Sequence, residues 1–216
     1  MVDAAQSLGH LPFTVSELGC DLLAAPGHKG LLGPLGTGIL YIRPGGEQRL
    51  RPLRQGGTGT RSEEDRQPES LPDKYEAGNL NVPGVLGLGA GVRTIRQAGL
   101  AAIAQHEQDL TARLIAGLTP IAGLTLYGPA ASEPRVGVVS VSLTGYDPQE
   151  LAATLDAAYR VQVRAGIHCA PLIHRRLNSL PAGGTVRFSI GWNTMAADVD
   201  TAIRAVQEIA GAALTD

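Results

Sequence analysis

Apolar residues fill positions 22–25 without interruption, Pro26 and Gly27 stop them, and a second β-prone run resumes at 39–42. The pattern predicts two strands joined by a glycine-rich turn. Ahead of them, Val2 and Asp3 read as the last residue of a strand and the loop after it, and 15–18 is a short segment among Gly9, Pro12 and Gly19. Residues 44–72 carry few large apolar side chains and predict a long irregular excursion, of the kind that in compact domains is usually functional or disordered. A helix is expected to start near Pro83, because proline suits a first helical turn. Its small residues, Gly84, Gly87, Gly89, Ala90 and Gly91, favour close packing. A second helix over 100–118 places Ile103, Leu110, Leu114 and Ile115 on one apolar face, with Glu107, Asp109 and Arg113 read as the solvated opposite face. Beyond Pro120 the order becomes strand, strand, helix, strand, helix, strand, helix. The strands are expected at 124–127, 137–143, 161–164 and 185–190, and the helices at 148–158, 171–178 and 196–213. That is a small α/β unit. The domain boundary is expected to leave 1–120, with its connecting helix, as one domain and 121–216 as a second.

Composition narrows the functional classes. The chain has 216 residues, of which 44% are hydrophobic, so it can bury a substantial core. Its 18 basic and 20 acidic residues leave a net charge of −2, which gives no electrostatic reason to expect nucleic acid or a membrane surface as a partner. Two cysteines make no disulfide framework, and no His/Cys spacing of a metal site occurs. With neither a leader-like N-terminus nor an apolar run of membrane-spanning length, a cytoplasmic protein is the expectation.

Candidate chemistry gathers at the turn after the first run. Lys29 follows Pro26-Gly27-His28 where a strand ends, and glycines at 30, 33, 36 and 38 let the backbone approach a ligand closely. Asp3 and Gln6 lie on a loop in phase with that turn, and open α/β sheets gather ligands outside the carboxyl ends of their strands. The stretch 55–62, Gln-Gly-Gly-Thr-Gly-Thr-Arg-Ser, concentrates amides and hydroxyls able to form an anion nest. No Gly-Lys-Ser/Thr follows, so it is not a Walker A loop. A lysine amine, a carboxylate and a phosphate nest together suggest pyridoxal 5'-phosphate (PLP). The lysine would form a Schiff base, the carboxylate would pair with the pyridinium nitrogen, and the nest would hold the phosphate. Taken singly, each residue has a plainer reading. Lys29 reads as a solvated loop charge, Asp3 as a turn cap, Cys169 and Cys20 as inert buried thiols, and Arg187 as an exposed strand residue. His10, His106 and His174 read as surface residues, and Trp192 as packing near the last strand.

Taken in order, Asp3-x-x-Gln6, Gly27-His28-Lys29, Gly56-Gly57, Glu76-Ala77-Gly78, Arg164-x-Gly166-x-His168-Cys169-Ala170 and Arg187-Phe188-Ser189 resemble the class V aminotransferase-like PLP enzymes. The resemblance is strongest to the cysteine desulfurase and selenocysteine lyase branch and covers nearly the whole chain. It implies an α/β fold: the C-terminal part of the large domain of a fold type I PLP-dependent transferase, plus the small C-terminal α/β domain. It further implies that Lys29 is the Schiff-base lysine, Asp3 the partner of the pyridinium nitrogen, and Gln6 the partner of the ring oxygen. By the same resemblance His28 contacts the phosphate, and Thr58, Gly59 and Thr60 reach the phosphate of a neighbouring subunit. Cys169 is then the nucleophile that takes sulfur from L-cysteine as a persulfide, leaving alanine, and Arg187 holds the substrate carboxylate in its planar fork. Only a thiolate is competent for that attack, so Cys169 needs a basic neighbour. The family also implies a homodimer in the full-length form and a sulfur-acceptor protein as partner.

The chain departs from the family pattern in length, since the family's N-terminal half is missing, and a truncated enzyme is the expectation. Pro26 replaces a hydroxyl residue, and Asn79-Leu80-Asn81 replaces the more usual Thr-Pro-Asn. Three readings therefore stand: a desulfurase-like lyase, a class V aminotransferase or selenocysteine lyase, and a non-catalytic remnant or interaction module. Among the enzymes Cys169 favours the first, because an aminotransferase does not need that thiol.

Overall fold

A computed structural model describes residues 1–57, 61, 63–129, 133 and 135–213. The chain divides into two units, Met1–Ala101 and Ala102–Asp216.

The first unit is built on a three-stranded sheet in the order β1 (Val2–Asp3), β2 (Leu22–Pro26), β3 (Gly38–Ile42). β1 runs parallel to β2, with Asp3 opposite Ala24, while β3 pairs antiparallel with β2. The side-chain period of two places Leu23 and Ala25 on the buried face with Ala4 and Cys20, and leaves Asp3, Ala24 and Pro26 on the other. Between β1 and β2, helix α1 (Val15–Leu18) is a single turn held by a reciprocal cap. Thr14 Oγ1 accepts from the Glu17 amide at 3.2 Å, and Glu17 Oε2 accepts from the Thr14 amide at 2.7 Å. The excursion after β3 has its own polar anchors. Buried Gln67 donates to the Asp73 carbonyl at 2.6 Å and accepts from the Gly56 amide at 3.3 Å. Buried Lys74 donates to the Glu47 carbonyl at 2.9 Å and is ion-paired with Glu69.

Helix α2 (Val82–Ala98) starts under an Asn81 cap with proline in its first turn, as the sequence predicts. Its glycines serve backbone contact: a Cβ at Gly91 would lie 2.4 Å from the Leu31 carbonyl oxygen. The helix therefore rests directly on the turn that carries Lys29.

Helix α3 (Leu100–Leu118) lies almost wholly in the second unit. That unit also holds β4 (Leu124–Tyr127), β5 (Val138–Leu143), α4 (Pro148–Tyr159), β6 (Arg164–Gly166), α5 (Pro171–Arg176), β7 (Thr185–Ser189) and α6 (Ala196–Ala213). The strands form an antiparallel sheet in the order β4-β5-β7-β6. Val139, Val141, Val186 and Phe188 alternate onto one face, where they meet Leu151 and Leu155 of α4 and Val206 and Ile209 of α6. Arg164, Arg187 and Ser140 share the opposite face, since Arg187 stands across from Ser140 on one side and Arg164 on the other.

The division falls 19 residues ahead of the boundary expected at 120/121. The reason is packing: Leu110, Leu114, Ile115 and Leu118 of α3 belong to the core of the second unit. Leu118→Ala is accordingly expected to cost about 2–5 kcal/mol, the usual range for deleting a buried leucine side chain. The denaturant midpoint should fall at unchanged slope. A cost under about 1 kcal/mol would return α3 to a connector's role.

Other expectations need correction. Glu107 is buried, at 3% exposure, because its spacing from Ile103, Leu110 and Leu114 puts it on the apolar face despite its charge. His174 is buried at 3% and His106 is half-buried against Trp192, with ring centroids 5.7 Å apart. β6 begins at Arg164 rather than at 161. Val161 and Val163 pack on the core as the chain leaves α4, and strand pairing starts only where Arg164 meets Arg187.

Candidate active site

In the first unit the candidate residues sit at the ends of β1 and β2. After Asp3 the chain winds back, with the Leu8 amide donating to the Ala4 carbonyl at 3.0 Å. Asp3 Oδ1 accepts from the Ala5 amide at 2.9 Å, so the carboxylate caps this turn and keeps its other oxygen without a partner among the described residues. Beyond Pro26, the Gly33 amide donates to the Gly27 carbonyl at 2.7 Å and the Leu32 amide to the Lys29 carbonyl at 2.9 Å. These bonds close a tight turn around Lys29. The two loops touch through glycine: a Cβ at Gly9 would lie 2.1 Å from the Gly30 carbonyl oxygen, a separation that no side chain fits. Gly9 also has φ +91, a left-handed backbone that favours glycine. The Asp3–Gln6 loop is thereby laid against the Lys29 turn, as the sequence spacing suggests. Lys29 is half-buried, and among the described residues its amine forms no hydrogen bond or ion pair. Gln6 and His28 are exposed. Thr58, Gly59 and Thr60 lie outside the described residues; Gly57 just before them accepts from the Gly78 amide at 2.9 Å.

The second unit brings Arg164, His168, Cys169 and Arg187 together. Cys169 is exposed, contrary to the inert buried thiol that its residue type suggests, whereas Cys20 is buried as expected. Arg164 Nη2 lies 3.3 Å from Cys169 Sγ, within donor reach of sulfur. His168 donates from Nε2 to the Arg164 carbonyl at 2.9 Å. Arg187 donates from Nε to Ser189 Oγ at 3.0 Å. Burial first, then the neighbouring Arg164 charge, pushes the Arg187 guanidinium below its ordinary value, with Cys169 opposing. It remains a cation at any physiological pH. Burial also lowers the His168 pKa, as do the charges of Arg187, His174 and Arg164, against a carbonyl bond that raises it.

A family model described as Aminotransferase class-V matches residues 1–201. The chain belongs to that family. Within the class-V aminotransferases, the similarity is to cysteine desulfurases. The chain is 38% identical over 216 residues to a protein named probable cysteine desulfurase from Methanothermobacter thermautotrophicus, covering 98% of this chain and 53% of the relative. It is 35% identical over 212 residues to a probable cysteine desulfurase of Pyrococcus abyssi, at 97% and 51% coverage. The apo structure of a cysteine desulfurase from Thermococcus onnurineus NA1 superposes with a TM-score of 0.86 at 36% identity, over 97% of this chain and 52% of that one. The chain thus spans about half the length of the relatives it matches. The likeness bears out the expected fold: part of the large domain and the small α/β domain of a PLP-dependent transferase.

Two contacts at the site go beyond what the sequence shows. The motif puts Arg164 five residues before Cys169, and the fold brings its guanidinium to the sulfur. His174, read as a surface residue, is buried and hydrogen-bonded through Nδ1 to Ser179 Oγ at 2.8 Å. Its ring centroid lies 5.4 Å from that of His168. The available signal was the crowding of three basic or imidazole side chains around one cysteine between positions 164 and 174. Among the described residues no helix is long and apolar enough to cross a membrane, and no group of three or more His, Cys, Asp or Glu could hold a metal ion.

Proposed function

We propose that this chain carries the catalytic residues of a cysteine desulfurase, which moves the sulfur of L-cysteine onto its own Cys169 and releases alanine. The observation that carries the reading is the exposed Cys169 thiol in contact with Arg164 and beside Arg187. Transfer of an amino group, the other activity of the family, gives that thiol no task.

The residues present fit pyridoxal phosphate. Lys29 offers an amine that has no protein partner among the described residues, and the Gly9–Gly30 approach sets the Asp3 loop beside it. Lys29 would bind the cofactor aldehyde, Asp3 its ring nitrogen and Gln6 its ring oxygen. His28 would contact the phosphate, and the segment Thr58 to Thr60 would reach the phosphate of a second subunit, which makes the complete enzyme a homodimer. When bound, the cofactor supplies an electron sink next to the substrate's amine-bearing carbon. Arg187 holds the substrate carboxylate, and the displaced Lys29 amine moves protons at the substrate carbons. Cys169 Sγ, as thiolate, attacks the substrate sulfur. One S–S bond forms, the substrate C–S bond breaks, and its electron pair stays on carbon, where a proton completes alanine. The persulfide left on Cys169 then passes its outer sulfur to an acceptor protein.

Incubation with pyridoxal phosphate and cysteine tests this directly. Alanine should appear, and the Cys169 peptide should gain one sulfur by mass spectrometry before any reductant is added. Alanine formed without that gain would sink the desulfurase reading, and neither signal would mark a non-catalytic module.

A second expectation concerns Arg187. Charge-assisted hydrogen bonds are worth about 1.5–3 kcal/mol, so Arg187→Ala should raise the KM for cysteine about 10- to 100-fold at 1.4 kcal/mol per decade. Arg187→Lys should recover only part of this, since an ammonium lacks the planar fork. Steady-state kinetics with unchanged KM in both variants would remove Arg187 from the carboxylate site.

A further inference from the structure

We propose that His168 is a positioning residue that hooks the chain at Arg164 and so fixes the Cys169 thiol against the Arg164 guanidinium. The inference rests on the reading of Cys169 as the sulfur-accepting thiol.

Nε2 of His168 lies 2.9 Å from the Arg164 carbonyl oxygen. A carbonyl only accepts, so Nε2 carries the proton and donates it. Together with the Ala170 amide, which donates to the Ile167 carbonyl at 2.8 Å, this bond draws residues 164–170 into one compact turn. Within the turn, His168 and Cys169 are consecutive non-glycine residues with left-handed φ of 52° and 59°. Such a backbone is disfavoured for residues that carry a Cβ, so it persists where contacts hold it, here the His168 ring bond together with the Ala170 amide bond. Its consequence appears at the other end of Arg164, whose Nη2 stands 3.3 Å from Cys169 Sγ. One residue thus supplies both the carbonyl that anchors the hook and the cation that meets the sulfur.

The imidazole is held in turn. His174, buried and bonded to Ser179, packs its ring at 51° to that of His168. The groups that face the turn and lower the His168 pKa are Arg187 from β7, His174 from α5 and Arg164 from β6. They favour a neutral His168, which retains the Nε2 donor.

Iodoacetamide alkylates the sulfur itself, so its rate reports how the turn presents Cys169 Sγ, and the reaction needs no cofactor. His168→Gly removes the hook while relieving the left-handed strain, and His168→Gln restores an amide donor at the reach of Nε2. Alkylation of Cys169 at neutral pH, followed by peptide mass spectrometry, is expected to slow about two- to fivefold in His168→Gly, corresponding to loss of one solvent-exposed charged contact. It should return close to the wild-type rate in His168→Gln. Arg164→Ala should slow it equally, and the double variant should be no slower than either single, because both changes remove one contact. A wild-type rate in His168→Gly or in Arg164→Ala, equal slowing in Gly and Gln, or multiplying effects in the double variant would each overturn the proposal. Normal alkylation in His168→Gly alongside a persulfide on Cys169 would reject the hook and keep the desulfurase reading. The expected slowing with no persulfide would do the reverse.

Discussion

If the proposed function holds, Lys29→Ala is expected to abolish the visible absorption band that added pyridoxal phosphate would acquire on the wild type, and all turnover of cysteine with it. The size of the effect follows from a count: the chain contains two lysines, Lys29 and Lys74. Lys74 cannot substitute. It is buried, donates to the Glu47 carbonyl at 2.9 Å and is ion-paired with Glu69. The Glu69 bond, ahead of all other causes, raises its pKa above the ordinary lysine value. A protonated, ion-paired amine is no nucleophile, whereas Lys29 presents an amine with no partner among the described residues. The turn itself should survive, because its bonds run between the backbones of Gly27 and Gly33 and of Lys29 and Leu32. The measurement is a cofactor titration followed at visible wavelengths on wild type, Lys29→Ala and Lys74→Ala. The band should persist in the last and vanish in the second. A band that survives in Lys29→Ala would move the attachment point elsewhere and dissolve the assignment of Asp3 and Gln6 with it.

The Lys29 turn was legible in the sequence because its physics is local. Pro26 and Gly27 end a short apolar run, glycines permit the close return, and β2 and β3 lie where the two uninterrupted apolar runs place them. The sheet of the second unit was legible for the same reason: Val139, Val141, Val186 and Phe188 keep a strict period of two. What escaped depends on partners distant in sequence or on backbone that residue type does not announce. The charge of Glu107 predicts a solvated position, although its spacing puts it among Ile103, Leu110 and Leu114. The sequence pattern places a domain boundary at the end of α3, yet a helix's allegiance is set by what its apolar face meets, and no local pattern names that partner. Arg164 meets Cys169 across two successive left-handed residues, neither of them glycine or asparagine, and such backbone leaves no mark in composition.

Cys169→Ala should produce the opposite signature to Lys29→Ala: the cofactor band remains and sulfur transfer is lost. The substitution deletes one exposed sulfur atom and keeps a Cβ, so the second unit should melt as before. No other thiol can take over. Cys20 is the only other cysteine, and it is buried in the core of the first unit with Leu23 and Ala25. Free thiols in solution compete poorly with a fixed one, since a well-oriented intramolecular group acts at an effective molarity of roughly 10⁵ M or more. Millimolar dithiothreitol should therefore fail to restore alanine formation, and no peptide should gain sulfur. Two outcomes would separate the roles assigned to the two units. Wild-type alanine production by Cys169→Ala would show that sulfur leaves the substrate without this nucleophile, returning Arg164 and His168 to purely structural tasks. Loss of the cofactor band in the same variant would show that the Cys169 turn is needed to hold the cofactor, a task that Lys29 and Asp3 would otherwise perform without it.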